Sequence, residues 1–416
     1  MESGRTFNKL QAHRGLKWLI IEDGLRDLHG HFLDFVATFR RGLTALGDRV
    51  TVLCDRDASP AVIEQTGALP LLPGANLRLG SLRSPVNVLQ NIYWIIASLA
   101  VLLKFRRVID ESDMIFLTAV RLQHLIVWRL YSLIRGKRFQ TPMLLFFMAT
   151  PVREATDGSK YQWEGLKGRA VGALVKSLGC GSVGDKMTFA TETEQLSECL
   201  SDLCGIHFLT LPQPVEVGAG RQRREKASES KSVTIGSFGP PREEKGSHLL
   251  VKAIAMLLAE SPLLPVRFIV QWTEDFMCSN GEVARIAPEL VGCDRLQVIP
   301  HYFAAGEYDE LLEETDAVVL PYGSNYRLRG SRVLIDALVR GLPVAVTAGS
   351  SMQALAECYG KCVLIRNWTA SCLADTLREL IEVARGHSHC REGLALAAKE
   401  YFSVAEFRRR LLAKAF

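Results

Sequence analysis

The chain has 416 residues, of which 48% are apolar and 23% are charged, with 33 glycines and 10 cysteines. This balance is typical of globular proteins and excludes wholesale disorder, and glycine without a regular period excludes collagen-like repeats. Cysteines this sparse, with no C-x-x-C pair, exclude a disulfide scaffold and a structural zinc site. We expect free thiols in a reducing compartment, and two or three domains from the length.

The formal net charge of +5 is concentrated in one part of the chain. Between residues 78 and 138, ten Lys and Arg residues outnumber three acids. Such a mild overall charge predicts no nucleic-acid partner. The most apolar run, residues 92–103 (IYWIIASLAVLL), lies in the same window and is shorter than the roughly 20 residues of a spanning helix. Apolar surface beside basic residues favours docking on an anionic membrane surface, and a core helix is the alternative.

The N-terminal half alternates predicted strands and helices. Residues 17–22 (KWLIIE) indicate a buried strand, a glycine-containing loop follows, and residues 32–47 show the apolar spacing of a helix. A second strand at 48–54 completes a βαβ unit, which predicts a parallel sheet with its ligand edge at the strand carboxyl ends. The first 17 residues contain no apolar run, so we expect a cytoplasmic protein without a secretory leader.

Residues 217–232 (VGAGRQRREKASESKS) interrupt this alternation and are predicted to form a linker. Strands and helices then resume at residue 233. We therefore predict an N-terminal domain over 1–216, a C-terminal domain over 233–400 and a final basic helix over 401–416. The fold class is α/β, with two Rossmann-like, doubly wound domains facing across a cleft, where ligands commonly bind.

The segment 236–250 (GSFGPPREEKGSHLL) carries the strongest chemical signal. A strand ends in glycines, Arg242 and Lys245 lie in the loop, and Gly246 opens a helix. A helix N-terminus attracts anions, and a guanidinium with an ammonium beside it suits a diphosphate. A surface loop with solvated charges is the alternative.

A second polar loop occupies the start of the segment 321–343 (PYGSNYRLRGSRVLIDALVRGLP). It follows a predicted strand and contains Tyr326 and Arg329, and Gly330 with Ser331 begins a helix. Asp336 lies one and a half turns into that helix, where a carboxylate could accept hydrogen bonds from a ribose diol or could interact with the helix dipole.

The loop after the first strand is the third candidate. Gly24 and Gly30 permit close approach of a ligand to the backbone, although the spacing is not the G-x-G-x-x-G of dinucleotide-binding proteins. His31 at the start of the following helix could be catalytic or could cap the helix.

Together these segments resemble the GT-B glycosyltransferases, especially the retaining family four. The segments SFGPPREEKGSHLLVKAI and VLIDALVRGLPVAV are similar to that family's diphosphate loop and its "EA…G-P-V" run, and LPQPVEV is similar to its "I-P-N-P-V" boundary. The opening loop with GHF, the helix after it and RVTVLCD are similar to its N-terminal pattern.

The resemblance implies roles for individual residues. Arg242 and Lys245 would hold the donor diphosphate and act in catalysis, and Asp336 would replace a ribose-binding Glu. Gly30 would belong to the loop that faces the diphosphate and acceptor, Gly330 and Ser331 would supply N–H groups to phosphate, and residues 300–302 would lie beside the base. His31 is the third candidate catalytic residue, and Gly246, Tyr326 and Arg329 are further candidates for binding the nucleotide sugar.

Two positions depart from the family pattern. Leu328 stands where the family has a first Glu, eight positions before the second, and Pro240 replaces the usual Arg after the strand glycine. Arg242, two positions later, could still reach the phosphates. The missing carboxylate bears on recognition of the donor sugar.

The activity implied is transfer of a sugar from a nucleotide-diphosphate sugar to the hydroxyl of a sugar or lipid-linked acceptor, in polysaccharide or glycolipid biosynthesis. No cofactor and no metal are expected. Fixed cations of the protein would stabilise the negative charge of the leaving diphosphate, so the reaction would not need a metal ion for this. The alternatives are a sugar-nucleotide epimerase, a pyridoxal-phosphate-dependent phosphorylase, and a degenerate GT-B domain that only binds.

Overall fold

The structure, a computed structural model, describes residues 15–27, 32–74, 85–154, 161–216, 232–304, 306–386 and 391–415. The chain divides into two compact units. The first comprises Met1–Pro214 together with Ser403–Phe416, and the second comprises Val215–Phe402. The predicted linker at 217–232 lies outside the described residues except for its last residue.

The first unit is built on a seven-stranded parallel sheet in the order β3-β2-β1-β4-β5-β8-β9. A separate two-stranded hairpin, β6 with β7, follows β5 in the chain. The strands are β1 (Lys17–Glu22), β2 (Arg49–Asp55), β3 (Leu69–Leu72), β4 (Met114–Leu117), β5 (Met143–Phe147), β6 (Val152–Glu154), β7 (Tyr161–Trp163), β8 (Met187–Thr191) and β9 (Phe208–Thr210).

Helices connect these strands, as right-handed parallel crossovers require. They are α1 (Phe32–Ala45), α2 (Pro60–Thr66), α3 (Pro85–Lys104), α4 (Arg106–Glu111), α5 (Leu122–Arg135), α6 (Gly165–Gly179) and α7 (Glu194–Cys204). The central strands β1, β4 and β5 are almost fully buried, since helices cover both faces of the sheet.

The second unit repeats this plan with a six-stranded parallel sheet in the order β14-β11-β10-β15-β16-β17. Its strands are β10 (Val233–Ser237), β11 (Val266–Gln271), β12 (Phe276–Met277), β13 (Val283–Ala284), β14 (Leu296–Ile299), β15 (Ala317–Leu320), β16 (Val344–Thr347) and β17 (Cys362–Ile365). Its helices are α8 (Ser247–Glu260), α9 (Glu307–Glu314), α10 (Arg332–Leu338), α11 (Ser351–Tyr359), α12 (Ala370–Gly386) and α13 (Arg391–Tyr401).

The last helix, α14 (Val404–Ala415), belongs to the first unit. Phe407 lies with its ring centroid 4.7 Å from that of Phe39 and 5.6 Å from that of Phe116, both in the core of that unit. Arg408 donates to both carboxylate oxygens of the buried Asp48, at 2.7 and 3.0 Å. The C-terminal residues therefore complete the core that the N-terminal residues begin.

Two parallel, doubly wound sheets confirm the predicted α/β class with two Rossmann-like domains. The helix around the apolar run is longer than the sequence indicated, because α3 begins at Pro85. Asn87 and Asn91 interrupt the apolar sequence but lie on the inner side of this helix, where Asn91 is buried. Among the described residues, α3 alone is long and apolar enough to cross a membrane.

Candidate anion-binding site in the second unit

Two polar loops meet at the carboxyl edge of the second sheet. They follow β10 and β15, which pair in parallel, so their ends lie side by side. The backbone N–H of Gly323 donates to the carbonyl of Glu244 at 2.8 Å. Gly246 has φ +67°, and a Cβ on it would lie 2.1 Å from the carbonyl oxygen of Pro321. Glycine is therefore required there for its conformation and for the close approach of the second loop.

Lys245 lies at the centre of this arrangement. It ends a short 3₁₀ turn, Glu243–Lys245, and its Nζ lies 5.9 Å from the ring centroid of Tyr322. The same Nζ would be 2.6 Å from a Cβ on Gly239, so the ammonium lies against bare backbone. Burial, and then the neighbouring Arg242 charge, lower the pKa of Lys245 to about 8. The negative charge of an anion bound here would favour the charged form of Lys245 and so offset both the burial and the Arg242 charge.

Arg242 supplies a second cation at the mouth of the loop. Its guanidinium is more than half exposed, with NH1 3.8 Å from a carboxylate oxygen of Glu244. Glu243 is held elsewhere, since its carboxylate accepts hydrogen bonds from the backbone N–H and hydroxyl of Ser279 at 2.8 and 2.6 Å. These bonds lower the pKa of Glu243. One acid of the R-E-E-K run is thereby turned away from the two cations.

The first turn of α8 adds the positive end of a helix dipole to this charge. Gly246 is its N-cap, and among the described residues no side chain caps this helix. The N–H groups of Ser247 and Leu249 donate to the carbonyls of Arg242 and Gly246 at 3.4 and 3.0 Å, within the loop itself. The loop, its two cations and the helix start together form a site for an anion with several oxygens.

Gln271 holds the sheet edge beneath this site. Its Oε1 accepts from the N–H of Gly239 at 2.7 Å, and its Nε2 donates to the carbonyl of His301 at 2.9 Å. One buried amide thus links the ends of β10, β11 and β14. Sequence reasoning did not single out Gln271, although a glutamine at the carboxyl end of a buried strand was the available signal.

The loop after β15 contains two tyrosines in contact with each other and an arginine beside them. The Arg329 guanidinium lies 5.2 Å from the Tyr326 ring centroid, which is 4.8 Å from that of Tyr322. Burial raises the pKa of Tyr322 well above its usual range. Ser331 is the N-cap of α10 and accepts from the N–H of Leu334 at 3.4 Å, so its hydroxyl already serves the fold.

Asp336 is buried in α10 and surrounded by donors. Nε of Arg332 donates to both carboxylate oxygens at 3.0 and 3.1 Å, and the Tyr308 hydroxyl donates to Oδ2 at 3.3 Å. A ribose would compete with these partners, and its binding to Asp336 stays a prediction. Leu328, at the position of the missing carboxylate, is buried.

Trp368 borders the site and was not predicted from the sequence. Its indole N–H donates to the carbonyl of Pro321 at 2.8 Å, and its ring stands edge-on to His248, with centroids 5.5 Å apart. Burial lowers the pKa of His248, so this imidazole is neutral at neutral pH. Trp368 thereby connects the β15 loop with the start of α8.

The corresponding edge of the first unit is acidic. Glu22, at the end of β1, accepts from the N–H of Gly24 at 2.7 Å and from the hydroxyl of Thr118. Burial, and then the Asp23 charge, raise the pKa of Glu22 to about 7. Asp23 lies 3.3 Å from Nε2 of His124. The predicted residues Gly30 and His31 fall outside the described residues.

The described ranges contain no group of three or more His, Cys, Asp or Glu side chains placed to hold a metal. The metal independence of the reaction stays a prediction.

No protein-family model and no curated protein matches this chain. Solved structures do match it over nearly its full length. A glycosyltransferase from Rickettsia africae has 13% identity and a TM-score of 0.62, with 96% of this chain and 98% of that chain covered. HepE from Anabaena in complex with UDP has 14% identity and a TM-score of 0.64, with 96% and 99% covered.

Sucrose-phosphate synthase from Thermosynechococcus elongatus is similar to the same degree, with 14% identity, a TM-score of 0.61, and 96% and 99% coverage. Identities this low establish the fold. The chain has the GT-B fold, as the resemblance of its sequence implied.

Proposed function

We propose that the protein is a glycosyltransferase that takes a sugar from a nucleotide-diphosphate donor and places it on an acceptor hydroxyl. The observation that carries the proposal is that two cations, Lys245 and Arg242, lie together beside the N-terminus of α8, at the carboxyl edge of a central strand. Ligands of doubly wound sheets bind at that edge. HepE, of the same fold, has been solved with UDP and with UDP-glucose, which supports a donor of this class.

The proposed catalysis depends on where negative charge develops during the reaction. As the bond between the sugar and the diphosphate breaks, negative charge grows on the leaving phosphate oxygens. Lys245 is held in place by its contacts with Tyr322 and the Gly239 backbone, so it need not reorganise as that charge appears. Preorganised positive groups of this kind stabilise the transition state more than the ground state.

Three finer features belong to the proposal. The sugar is transferred with retention of configuration, the reaction needs no divalent metal, and the product enters a polysaccharide or glycolipid. Retention is checked by following the anomeric proton of the first-formed product by NMR. Metal independence predicts unchanged turnover after dialysis against EDTA.

The deciding experiment combines binding with turnover. Calorimetry with UDP, GDP and ADP identifies the base, and a screen of the corresponding sugars measures nucleotide released in the presence of candidate acceptors. Binding of one nucleotide and acceptor-dependent release support the proposal. Binding of none of the three contradicts it.

Three alternatives give different results, two of them in the same assays. Leu328 in place of a carboxylate favours a subunit that has lost its donor site, and such a subunit would bind no nucleotide. An epimerase would alter the donor sugar without any acceptor. A phosphorylase would carry pyridoxal phosphate and absorb in the visible range as purified.

A further inference from the structure

Helix α3 exposes a long apolar stripe. Val86, Leu89 and Ile96 are 61%, 66% and 62% exposed, and Ile92 and Tyr93 between them are about half exposed. Their spacing of three to four residues puts them on one side of the helix. The opposite side is buried, with Asn91, Trp94, Ser98 and Leu102 turned inward. A soluble fold gains nothing from leaving so many large apolar side chains in water.

Helix α5 lies beside α3 and extends this surface. The Gln123 amide donates to Asn91 at 2.6 Å, and the rings of Trp94 and His124 are 5.2 Å apart. Helix α5 exposes large apolar side chains of its own. We call the exposed apolar side chains of the two helices the apolar surface, formed by Val86, Leu89, Ile92, Ile96, Leu130 and Ile134.

Positive charge gathers where the two helices end. Arg135, at the end of α5, donates to Asp110 of α4 at 2.5 Å, and α4 directly follows α3. The exposed cations at this end, which we call the basic end, are Lys104, Arg106, Arg107, Lys137 and Arg138. Asp110 pairs with Arg135, and the other two acids of this stretch are Glu111 and Asp113. Arg78 and Arg83 of the same stretch lie outside the described residues.

We propose that the apolar surface and the basic end dock this unit on an anionic bilayer, with α3 lying in the plane of the interface. Apolar side chains enter the headgroup boundary while Lys and Arg contact anionic lipid. This binding is independent of the anion site, and it would bring a cytoplasmic enzyme to lipid-linked acceptors on the inner membrane face.

A surface position fits better than a spanning one. By length and composition α3 could cross a bilayer, yet its inner side is tied to the rest of the unit. Trp94 donates to the carbonyl of Pro73 at 3.1 Å, and Asn91 is bonded to Gln123. Spanning would break these bonds and place Asn91 and Ser98 in hydrocarbon. The charge beside the apolar surface favours anionic lipid over a second copy, which would bring the same positive charge.

Vesicle flotation with the full-length protein tests the proposal. The protein is mixed with vesicles of phosphatidylcholine alone or of phosphatidylcholine and phosphatidylglycerol at 3:1. We expect flotation with the anionic vesicles at low salt, release by 0.5 M NaCl, and no flotation with phosphatidylcholine alone. Flotation with both kinds of vesicle regardless of charge, or with neither at low salt, would overturn the proposal.

Paired variants locate the surface. I92E/I96E should abolish flotation, and R106Q/R107Q should lower the partition coefficient about 30-fold, since each basic residue near an anionic surface contributes favourably. The control L263E/L396E replaces two leucines of the second unit that are 94% and 69% exposed, and it should float like wild type. Equal flotation of I92E/I96E and wild type would contradict the assignment.

Two further measurements test the two other possibilities, a membrane-spanning α3 and a second copy of the chain bound to the apolar surface. Resistance of the membrane-bound protein to carbonate extraction would show a spanning helix. Light scattering that shows a dimer dissociated by I92E/I96E, in a protein that does not float, would show a second copy on this surface. Either result overturns docking on lipid, and thermal melts of the variants show that they fold.

Discussion

Strands β1 and β10 occupy the same place in their units, since each is a central strand of a parallel doubly wound sheet and the first of that sheet in the chain. Their carboxyl ends nevertheless lie in opposite electrostatic surroundings. At the end of β1, the carboxylates of Glu22 and Asp23 are buried with Thr118 and His124. At the end of β10, Lys245 and Arg242 face the loop after β15. The second edge suits an anion, whereas the carboxylates of the first have partners within the protein.

The difference shows that topology places a site and the loop residues determine its charge. In each unit the perturbed group at the edge is pushed toward neutrality by burial. Glu22 tends to hold its proton, and Lys245 tends to lose one. A bound anion would restore the charge of Lys245, whereas Glu22 already has partners within the protein.

The largest effect is expected from Lys245→Ala. Loss of one positioned cation should lower turnover about 100-fold to 1000-fold, because the charge on the leaving diphosphate loses its partner. Steady-state kinetics with the identified donor measure this. The matched control is Lys252→Ala on α8, whose side chain is exposed and pairs with Glu282 at 3.6 Å. Equal turnover of the two variants would remove Lys245 from the site.

Gly246→Ala should destabilise the second unit by about 2–4 kcal/mol, from strain at positive φ and from overlap with Pro321. Gly281→Ala separates the two causes. Gly281 also has positive φ, at +85°, but no described atom lies within 4 Å of its would-be Cβ. Gly281→Ala should therefore lower the free energy of unfolding by about 1–2 kcal/mol. Urea unfolding of both variants measures the difference, and equal losses would show that the loops do not meet closely.

Donor binding should weaken as the pH rises past the pKa of Lys245, about 8. Between pH 7 and 9 the charged fraction falls about tenfold, and the association constant should fall equally. Lys245→Arg keeps its charge over this range and should remove the decline. Calorimetry at pH 7, 8 and 9 tests both proteins. A decline that persists in the Arg variant would assign it to another group.

The smallest effect concerns Glu22, whose pKa of about 7 lies above its ordinary value of 4.5. The folded state therefore holds this proton more tightly than the unfolded state, so stability is present at low pH and lost as pH rises toward 7. We expect the melting temperature to fall by ~5 °C from pH 5 to 7.5. Glu22→Gln should flatten this fall, and Glu111→Gln, at an exposed acid, should leave it unchanged.

Much of the fold was predictable because buried parallel strands are continuous apolar runs. The strands β1, β4 and β5 coincide with the runs KWLIIE, MIFL and MLLFF. Segments with weaker patterns were not predicted. Helix α6, which is rich in glycine, was missed as a whole. Only the start of α3 was missed, because it contains asparagines that its packing alone explains. The hydrophobic periodicity of a sequence does not by itself show which polar residues face the protein interior.

The site was predictable in part. Arg242 and Lys245 were found because charged residues between a strand and a helix form a local pattern, and their roles stay predictions. The contributions of Tyr322, Gln271 and Trp368 depend on contacts between segments far apart in the chain. Trp368 lies 47 residues from Pro321, whose carbonyl it binds. Such partners are determined by the sheet order, which no single segment reveals.

The position of α14 has a consequence for biosynthesis. Phe407 fills space between Phe39 and Phe116, so the first unit lacks part of its interior until residues 404–415 leave the ribosome. The second unit, whose residues are contiguous from Val215 to Phe402, is complete earlier. The later-made half can therefore mature first, and a chain stopped before residue 403 would release an N-terminal half with an open apolar gap for chaperones to recognise.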